Sequence, residues 1–223
     1  MIDLEKVRSR TQEILSEGNK FCCLVRDAGF QKEHSQKLRA HKAELSKIKE
    51  SCLDDDNSAN EILALELMLD AQAHELDMWV ALKEDHPADA WEHLVSAQDA
   101  VRGAVQAHEV AHNLAAYQQK LHIAEKLLFP PQLFFSVSVV VRESICSICN
   151  SPYGECDHIV GRPYFGKLCS RILKTSEVRE ISIVDDPANK SCRVLEIADG
   201  GITRDFLTWR PISRKTSEGE DTH

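Results

Sequence analysis

Residues 127–149 read LLFPPQLFFSVSVVVRESICSIC, and the pattern of the chain changes within them. Before Pro130 and Pro131 the apolar residues recur every three or four positions, which is the period of an amphipathic helix. Proline cannot continue a helix, and the run from Leu133 to Val141 is β-branched and aromatic, which favours a strand. The sequence therefore predicts an α+β fold in which helices precede a small β-rich part.

Three regions follow from this change of pattern. We predict an acidic helical or coiled-coil domain over residues 1–129, a zinc-stabilised β-rich domain over 132–210 and a disordered polar tail over 211–223. Apolar stripes at helical spacing in the first region predict an antiparallel bundle or a long helical hairpin. A spare apolar stripe would offer a surface for a protein partner or for a homo-oligomer.

Local signals predict where several elements begin or end. Ser58 and Glu61 form a capping-box pattern at a helix start. The apolar pattern over 91–128 fits one helix, or two helices broken near Gly103. In the β-rich part an alternating strand is expected over 178–184, and the Asp-Gly-Gly sequence at 199–201 predicts a hairpin turn.

Four candidate metal ligands lie within thirteen residues of one another. Cys146 and Cys149 form a C-x2-C pair, and Cys156 and His158 stand two apart, so that on an extended segment their side chains leave the same face. Cys169 is an alternative fourth ligand. Because four soft or borderline ligands leave no open coordination position, we predict a structural Zn²⁺ rather than a catalytic one.

Composition and charge set bounds on partners and compartment. The chain has 27 basic residues (Lys and Arg) against 36 acidic residues (Asp and Glu). Residues 1–130 contain 15 of the basic residues and 23 of the acidic ones. Such an acidic region is a poor match for nucleic acid. Nucleic-acid binding is a secondary expectation for the β-rich part, through Arg162, Lys167, Arg171 and Lys174.

Cysteine use and hydropathy bear on the compartment. The cysteines have the spacing of metal ligands, and the charged start does not resemble a signal peptide. Both observations favour reduced cysteines in the cytoplasm over a disulfide framework. The most apolar stretch is too short to span a bilayer, so no membrane contact is expected.

A second metal motif stands in the helical part. His108-Glu109-Val110-Ala111-His112 has the H-E-x-x-H spacing, which on a helix places two imidazoles and a carboxylate on one face, as in metal-dependent hydrolases. Zincin-type enzymes lay this helix against a sheet, whereas the sequence before His108 is helical throughout. The alternative is that both histidines continue an apolar seam of the helical domain.

The C-terminal half also resembles a known family. The sequence VREISIVDDPAN at 178–189 is similar to the strand and Pro-Ala-Asn loop near the end of tailed-phage prohead maturation proteases, and the resemblance covers about residues 133–198. The cysteine-rich knuckle resembles an insertion found in some members. The resemblance implies a serine nucleophile, for which Ser136 or Ser138 is the nearest positional match.

The rest of the chain departs from that family. The upstream half is helical and is not recognised, no histidine stands in the expected context, and the glycine after the serine strand is absent. A serine without a positioned base is a poor nucleophile. We therefore expect a non-catalytic zinc-binding adaptor or assembly subunit of a phage-related complex. A metal-dependent hydrolase, a degenerate serine peptidase and a nucleic-acid-binding zinc module are the alternatives.

Overall fold

A computed structural model describes residues 3–23 and 25–212 and shows helices followed by small antiparallel sheets, which confirms the α+β class. The α-helices are α1 Leu4–Gly18, α2 Ala28–Glu50, α3 Asp56–Lys83, α4 Pro87–Ala107 and α5 Ala115–Leu128, with a 3-10 helix at Glu109–Leu114. The strands are β1 Phe134–Cys146, β2 Pro163–Tyr164, β3 Lys167–Leu168, β4 Arg171–Val184, β5 Glu196–Asp199 and β6 Ile202–Asp205.

Helix α3 is the centre of the helical part. It is buried on almost every side and packs against α2 and α4, as expected for a helix whose apolar residues surround it rather than forming one stripe. Charged residues that are buried need partners, because an unpaired charge away from water is costly. Each buried glutamate of α3 pairs with a different helix: Glu61 with Arg8, Glu66 with Lys49 and Glu75 with Lys120.

The start of α3 differs from the prediction. Asp55, not Ser58, is the N-cap, and its carboxylate accepts hydrogen bonds from the backbone N–H groups of Asn57 and Ser58. A carboxylate both caps the free N–H groups and matches the positive end of the helix, and the hydroxyl of Ser58 donates to this same carboxylate. Glu61 does not reach back to complete a capping box, because it is buried against Arg8.

The break in the helical pattern over 91–128 lies at His108 and not near Gly103. His108 has extended backbone angles (φ −163°, ψ 152°) and ends α4. Gly103 stays inside α4, where the absence of a side chain lets Leu67 and Leu168 approach the helix closely. A Cβ there would lie 3.2 Å from Leu67 Cδ1 and 3.4 Å from Leu168 Cδ1.

The β-rich part consists of three two-stranded antiparallel sheets: β1–β4, β2–β3 and β5–β6. The strand expected over 178–184 begins earlier, at Arg171, and pairs with the whole of β1. The turn between β5 and β6 confirms the predicted hairpin. Gly200 and Gly201 both have positive φ (56° and 84°), which the tight turn requires.

The helical and β-rich parts share one apolar cluster. The ring of Trp91 on α4 meets Phe129 edge-on at 5.3 Å and lies 6.0 Å from Phe134. Its Nε1 donates a hydrogen bond to the carbonyl of Lys190, 3.1 Å away. The proline pair at the helix-to-strand change therefore stands beside a continuous core.

Two predictions concern membranes and the tail. In the part of the chain that the structure describes, no helix combines the length and apolarity needed to cross a bilayer. Of the predicted tail, Ile212 donates its N–H to the carbonyl of Thr203 at 2.8 Å. The prediction of disorder otherwise falls on residues 213–223, outside the described residues.

Candidate metal centre

The C-x2-C pair forms a tight turn at the end of β1. Cys146 is the last residue of that strand, and its Sγ accepts a hydrogen bond from the N–H of Ile148 at 3.4 Å. Asn150 follows with a left-handed backbone (φ 59°) and donates its N–H to the carbonyl of Cys146 at 2.9 Å. This conformation suits Asn better than most residues, and it closes the turn so that both thiols face the same side.

A second loop brings in the other two ligands. The N–H of Tyr153 donates to the carbonyl of Ser144 at 2.9 Å, which lays the loop alongside β1. The ring of His158 packs edge-on against Tyr164 with centroids 4.7 Å apart. Tyr164 is held in turn, since its hydroxyl accepts the N–H of Ile159 at 3.0 Å.

The predicted ligands converge. One ligand atom from each of Cys146, Cys149, Cys156 and His158 lies within 4.8 Å of the others, so this cluster can hold a metal ion. The Nδ1 of His158 is buried and has no hydrogen-bond partner in the described part of the chain. Buried polar atoms nearly always have a partner. An ion bound among the four donors fits this arrangement.

Cys169, the alternative ligand, stands next to the same cluster. It is 2% exposed, and its Sγ lies 3.8 Å from the Sγ of Cys146. Backbone hydrogen bonds position it: its N–H donates to the carbonyl of Arg162 at 2.8 Å and its carbonyl accepts from Gly161 at 2.9 Å. Cys169 therefore lies beside Cys146, but it is not one of the four residues whose ligand atoms all lie within 4.8 Å of one another.

The thiols of the cluster differ in acidity. Burial acts to raise the pKa of Cys146, but hydrogen bonds from the backbone of Cys149 and Ile148 outweigh it and lower the pKa to about 7. Burial raises the pKa of Cys169. Hydrogen bonds from Ser151 lower the pKa of Cys149 as well. Because metals bind thiolates, these two thiols favour ion binding near neutral pH.

The cluster is attached to the helical part through the β2–β3 turn. Phe165 and Gly166 form this turn, and their N–H groups donate to the side chains of Asp56 and Asn60 at the start of α3. Leu168, which precedes Cys169, packs against the core formed by α1 to α4. The cluster is therefore seated on α3 rather than carried on a loose loop.

The structure does not bring the H-E-x-x-H residues together on an α-helix. His108 lies at the break after α4, where its Nδ1 accepts the N–H of Val110 at 3.2 Å, and Glu109 and His112 fall in the 3-10 helix. In the described part of the chain these three side chains are not among the groups able to hold a metal ion.

The two candidate serines lie on β1. Ser136 pairs with Ser182 and Ser138 with Glu180 on β4, and both serines are exposed on a two-stranded sheet. The four basic residues proposed for nucleic acid are also exposed. They lie on the loop before β2, on β3 and on β4, the segments that follow the candidate metal ligands: Arg162, Lys167, Arg171 and Lys174.

A second group of possible metal ligands was missed by the sequence reasoning. His74 and Asp77 on α3 and His93 on α4 place one ligand atom each within 4.8 Å of the others. No local motif marks this group, because its histidines are 19 residues apart on different helices. Only the pairing of α3 with α4 reveals it.

Comparisons with known proteins found no protein-family model, curated protein or solved structure that matches the chain.

Proposed function

We propose that this protein is a non-catalytic zinc-binding adaptor or assembly subunit that acts through protein–protein contacts. The observation that carries the proposal is the β1–β4 ribbon, which extends from the metal cluster with one apolar face uncovered. In this proposal the helices form a bundle around α3, zinc stabilises the β-rich part, and the protein works in the cytoplasm.

Zinc is supported by the donor set and its spacing. Thiolates and imidazole are the ligands that structural zinc sites use, with Zn–S distances of about 2.3 Å. A tetrahedron of that size has a sulfur–sulfur edge of about 3.8 Å, and the Sγ atoms of Cys146 and Cys169 are 3.8 Å apart. Because the group supplies four donors, a tetrahedral ion would have no open position left for a substrate or a reactive water.

The apolar face of the ribbon supports a protein partner. Cross-strand pairs Phe135–Ile183, Val137–Ile181 and Val139–Val178 alternate along β1 and therefore lie on one face. We call this surface the ribbon face. Ile181 is 63% exposed and Val137 49% exposed. Contiguous exposed apolar surface on a monomer commonly marks a contact site.

The opposite face of the ribbon does not suit catalysis. Ser138 stands opposite Glu180, and Ser182 donates its hydroxyl to the Glu180 carboxylate at 2.9 Å. A carboxylate on a solvent-exposed strand is a weak base for activating a hydroxyl. The resemblance to prohead proteases over 133–198 accordingly supports a phage-related assembly role rather than proteolysis.

The first experiment tests zinc. We expect elemental analysis to find zinc in the purified chain and to find one equivalent fewer in a Cys146→Ser/Cys149→Ser variant, whose residues 131–210 should become protease-sensitive. A Cys22→Ser/Cys23→Ser variant is the matched control and should keep all its metal. Equal zinc in all three proteins, or unchanged protease resistance, would contradict a structural zinc.

The second experiment tests the ribbon face. A photo-crosslinking residue placed at Ile181 should give a discrete adduct in cells, whereas the same residue at Glu180, one position along on the opposite face, should not. The adduct at Ile181 should disappear when Val137→Ser is added. An adduct at twice the mass of the chain would identify a second copy as the partner. Equal adducts at both positions, or none, would refute contact through this face.

A further inference from the structure

Three side chains meet on the seam between α3 and α4, away from the cysteine cluster. His74 and Asp77 lie one turn apart on α3, so they share a face of that helix. His93 approaches from α4, and its Nδ1 lies 3.1 Å from the Nδ1 of His74. A ligand atom of Asp77 completes a triangle whose sides are all within 4.8 Å.

The separation of the two histidine nitrogens is close to what a shared metal ion requires. Zinc–nitrogen bonds of about 2.0–2.1 Å give a tetrahedral nitrogen–nitrogen edge of about 3.3 Å. The observed 3.1 Å lies within a few tenths of an ångström of that edge. In the structure this separation is that of a hydrogen bond between the two rings, and an ion bound to both nitrogens would replace it.

The surroundings decide which ion and how tightly it binds. Asp77 also pairs with Arg39 on α2, and this neighbouring positive charge opposes a cation. The adjoining groove of about 370 Å³ is lined by Lys32, which pairs with Glu84, and by two further carboxylates, Asp89 and Glu92, which act in the other direction. We expect binding that is weaker than at the cysteine cluster but still selective for ions that prefer imidazole.

We propose that His74, Asp77 and His93 form a second site, for a divalent transition-metal ion such as Zn²⁺, Co²⁺ or Ni²⁺. Two imidazoles and one carboxylate suit these ions and not Mg²⁺ or Ca²⁺, which take oxygen ligands. Three protein ligands leave at least one coordination position for water or for a small anionic ligand entering from the groove. Because the ligands come from two helices, the ion also ties α3 to α4.

Metal counting on the full chain tests the site. After dialysis against excess Zn²⁺, the wild-type protein should hold one equivalent more than His74→Ala/His93→Ala and one more than the milder His93→Gln. His86 lines the same groove but lies outside the group, so His86→Ala is the matched control and should keep the wild-type count. Equal counts in wild type and both His93 variants would overturn the proposal.

A second readout separates this site from the cysteine cluster. Co²⁺ bound by thiolates absorbs strongly in the near ultraviolet, whereas Co²⁺ bound by nitrogen and oxygen does not. In the Cys146→Ser/Cys149→Ser background, Co²⁺ should still bind and should raise the melting temperature, and adding His93→Gln should abolish both effects. Binding that survives His93→Gln would place the ion elsewhere. A wild-type chain that holds no zinc at the cysteine cluster but still shows the His93-dependent binding would refute the proposed function and leave the second site intact.

Discussion

Replacing Gly166 by alanine should cost far more stability than the same change at Gly200, although both glycines have positive φ (73° and 56°). An L-residue in this left-handed region costs about 1–2 kcal/mol, and this cost is shared by the two variants. The difference between them therefore reports only on what surrounds each turn.

Gly166 is closely surrounded by other atoms, whereas Gly200 is in open space. A Cβ at Gly166 would lie 2.8 Å from Lys49 Cδ and 3.3 Å from the carbonyl oxygen of Ala59, whereas a Cβ at Gly200 meets nothing within 4 Å. The Lys49 side chain can move, but the Ala59 backbone inside α3 cannot, so the turn must lift away from the helix.

Lifting the turn weakens two hydrogen bonds, from the N–H groups of Phe165 and Gly166 to Asp56 and Asn60. At about 1 kcal/mol each, their loss adds about 2 kcal/mol, so Gly166→Ala should lose about 3–4 kcal/mol and Gly200→Ala about 1–2 kcal/mol. Urea unfolding followed by circular dichroism measures both, at equal metal loading. Equal losses would show that the β2–β3 turn is not seated on α3 as described.

Two further predictions concern buried groups of the helical part. Glu66→Ala should destabilise the protein by about 3–5 kcal/mol in the same urea assay, because it leaves Lys49 partly buried without its charge partner, whereas Glu177→Ala in an exposed ion pair should change little; similar losses would be evidence against the pairing. Cys23 is exposed while Cys22 is buried, and burial raises the pKa of Cys22 well above its ordinary value. Iodoacetamide should therefore modify Cys23 much faster than its neighbour in the native protein, as measured by peptide mapping, and comparable rates would contradict the buried position.

Local patterns were enough to predict the class of fold and the four residues that lie together as a possible metal site. The proline pair, the alternating run after it and the Asp-Gly-Gly turn each act through backbone preferences that do not depend on distant residues. The cysteine spacing works in the same way, because a C-x2-C turn is a local structure. The alternative of a break near Gly103 was wrong for a complementary reason: the glycine allows close approach of Leu67 and Leu168 inside α4, and sequence spacing does not show that contact.

Sites assembled from distant segments could not be predicted in this way. The His74–His93 contact depends on how α3 packs on α4, and the seat of the β2–β3 turn depends on Asp56 and Asn60 more than 100 residues earlier in the chain. The H-E-x-x-H motif is the opposite case, because a local pattern is present but the expected local structure is not. Its residues have the right spacing in the sequence, but α4 ends at His108.

Strands β1 and β4 connect the ribbon face to the candidate metal site formed by Cys146, Cys149, Cys156 and His158. Cys146 is the last residue of β1 and pairs with Arg171, the first residue of β4, which stands two positions after Cys169. An ion held by residues at this junction would fix the register of the two strands at their common base. A slip of one residue would turn the apolar side chains of one strand to the opposite face. The Phe134–Val184 pair packs against the helical core at the other end of the ribbon, and between these two ends the ribbon is a two-stranded sheet, which is only marginally stable by itself. We therefore expect metal removal to abolish the Ile181 crosslink even where the helices stay folded, whereas a crosslink that persists in the metal-free protein would show that the ribbon holds its register alone.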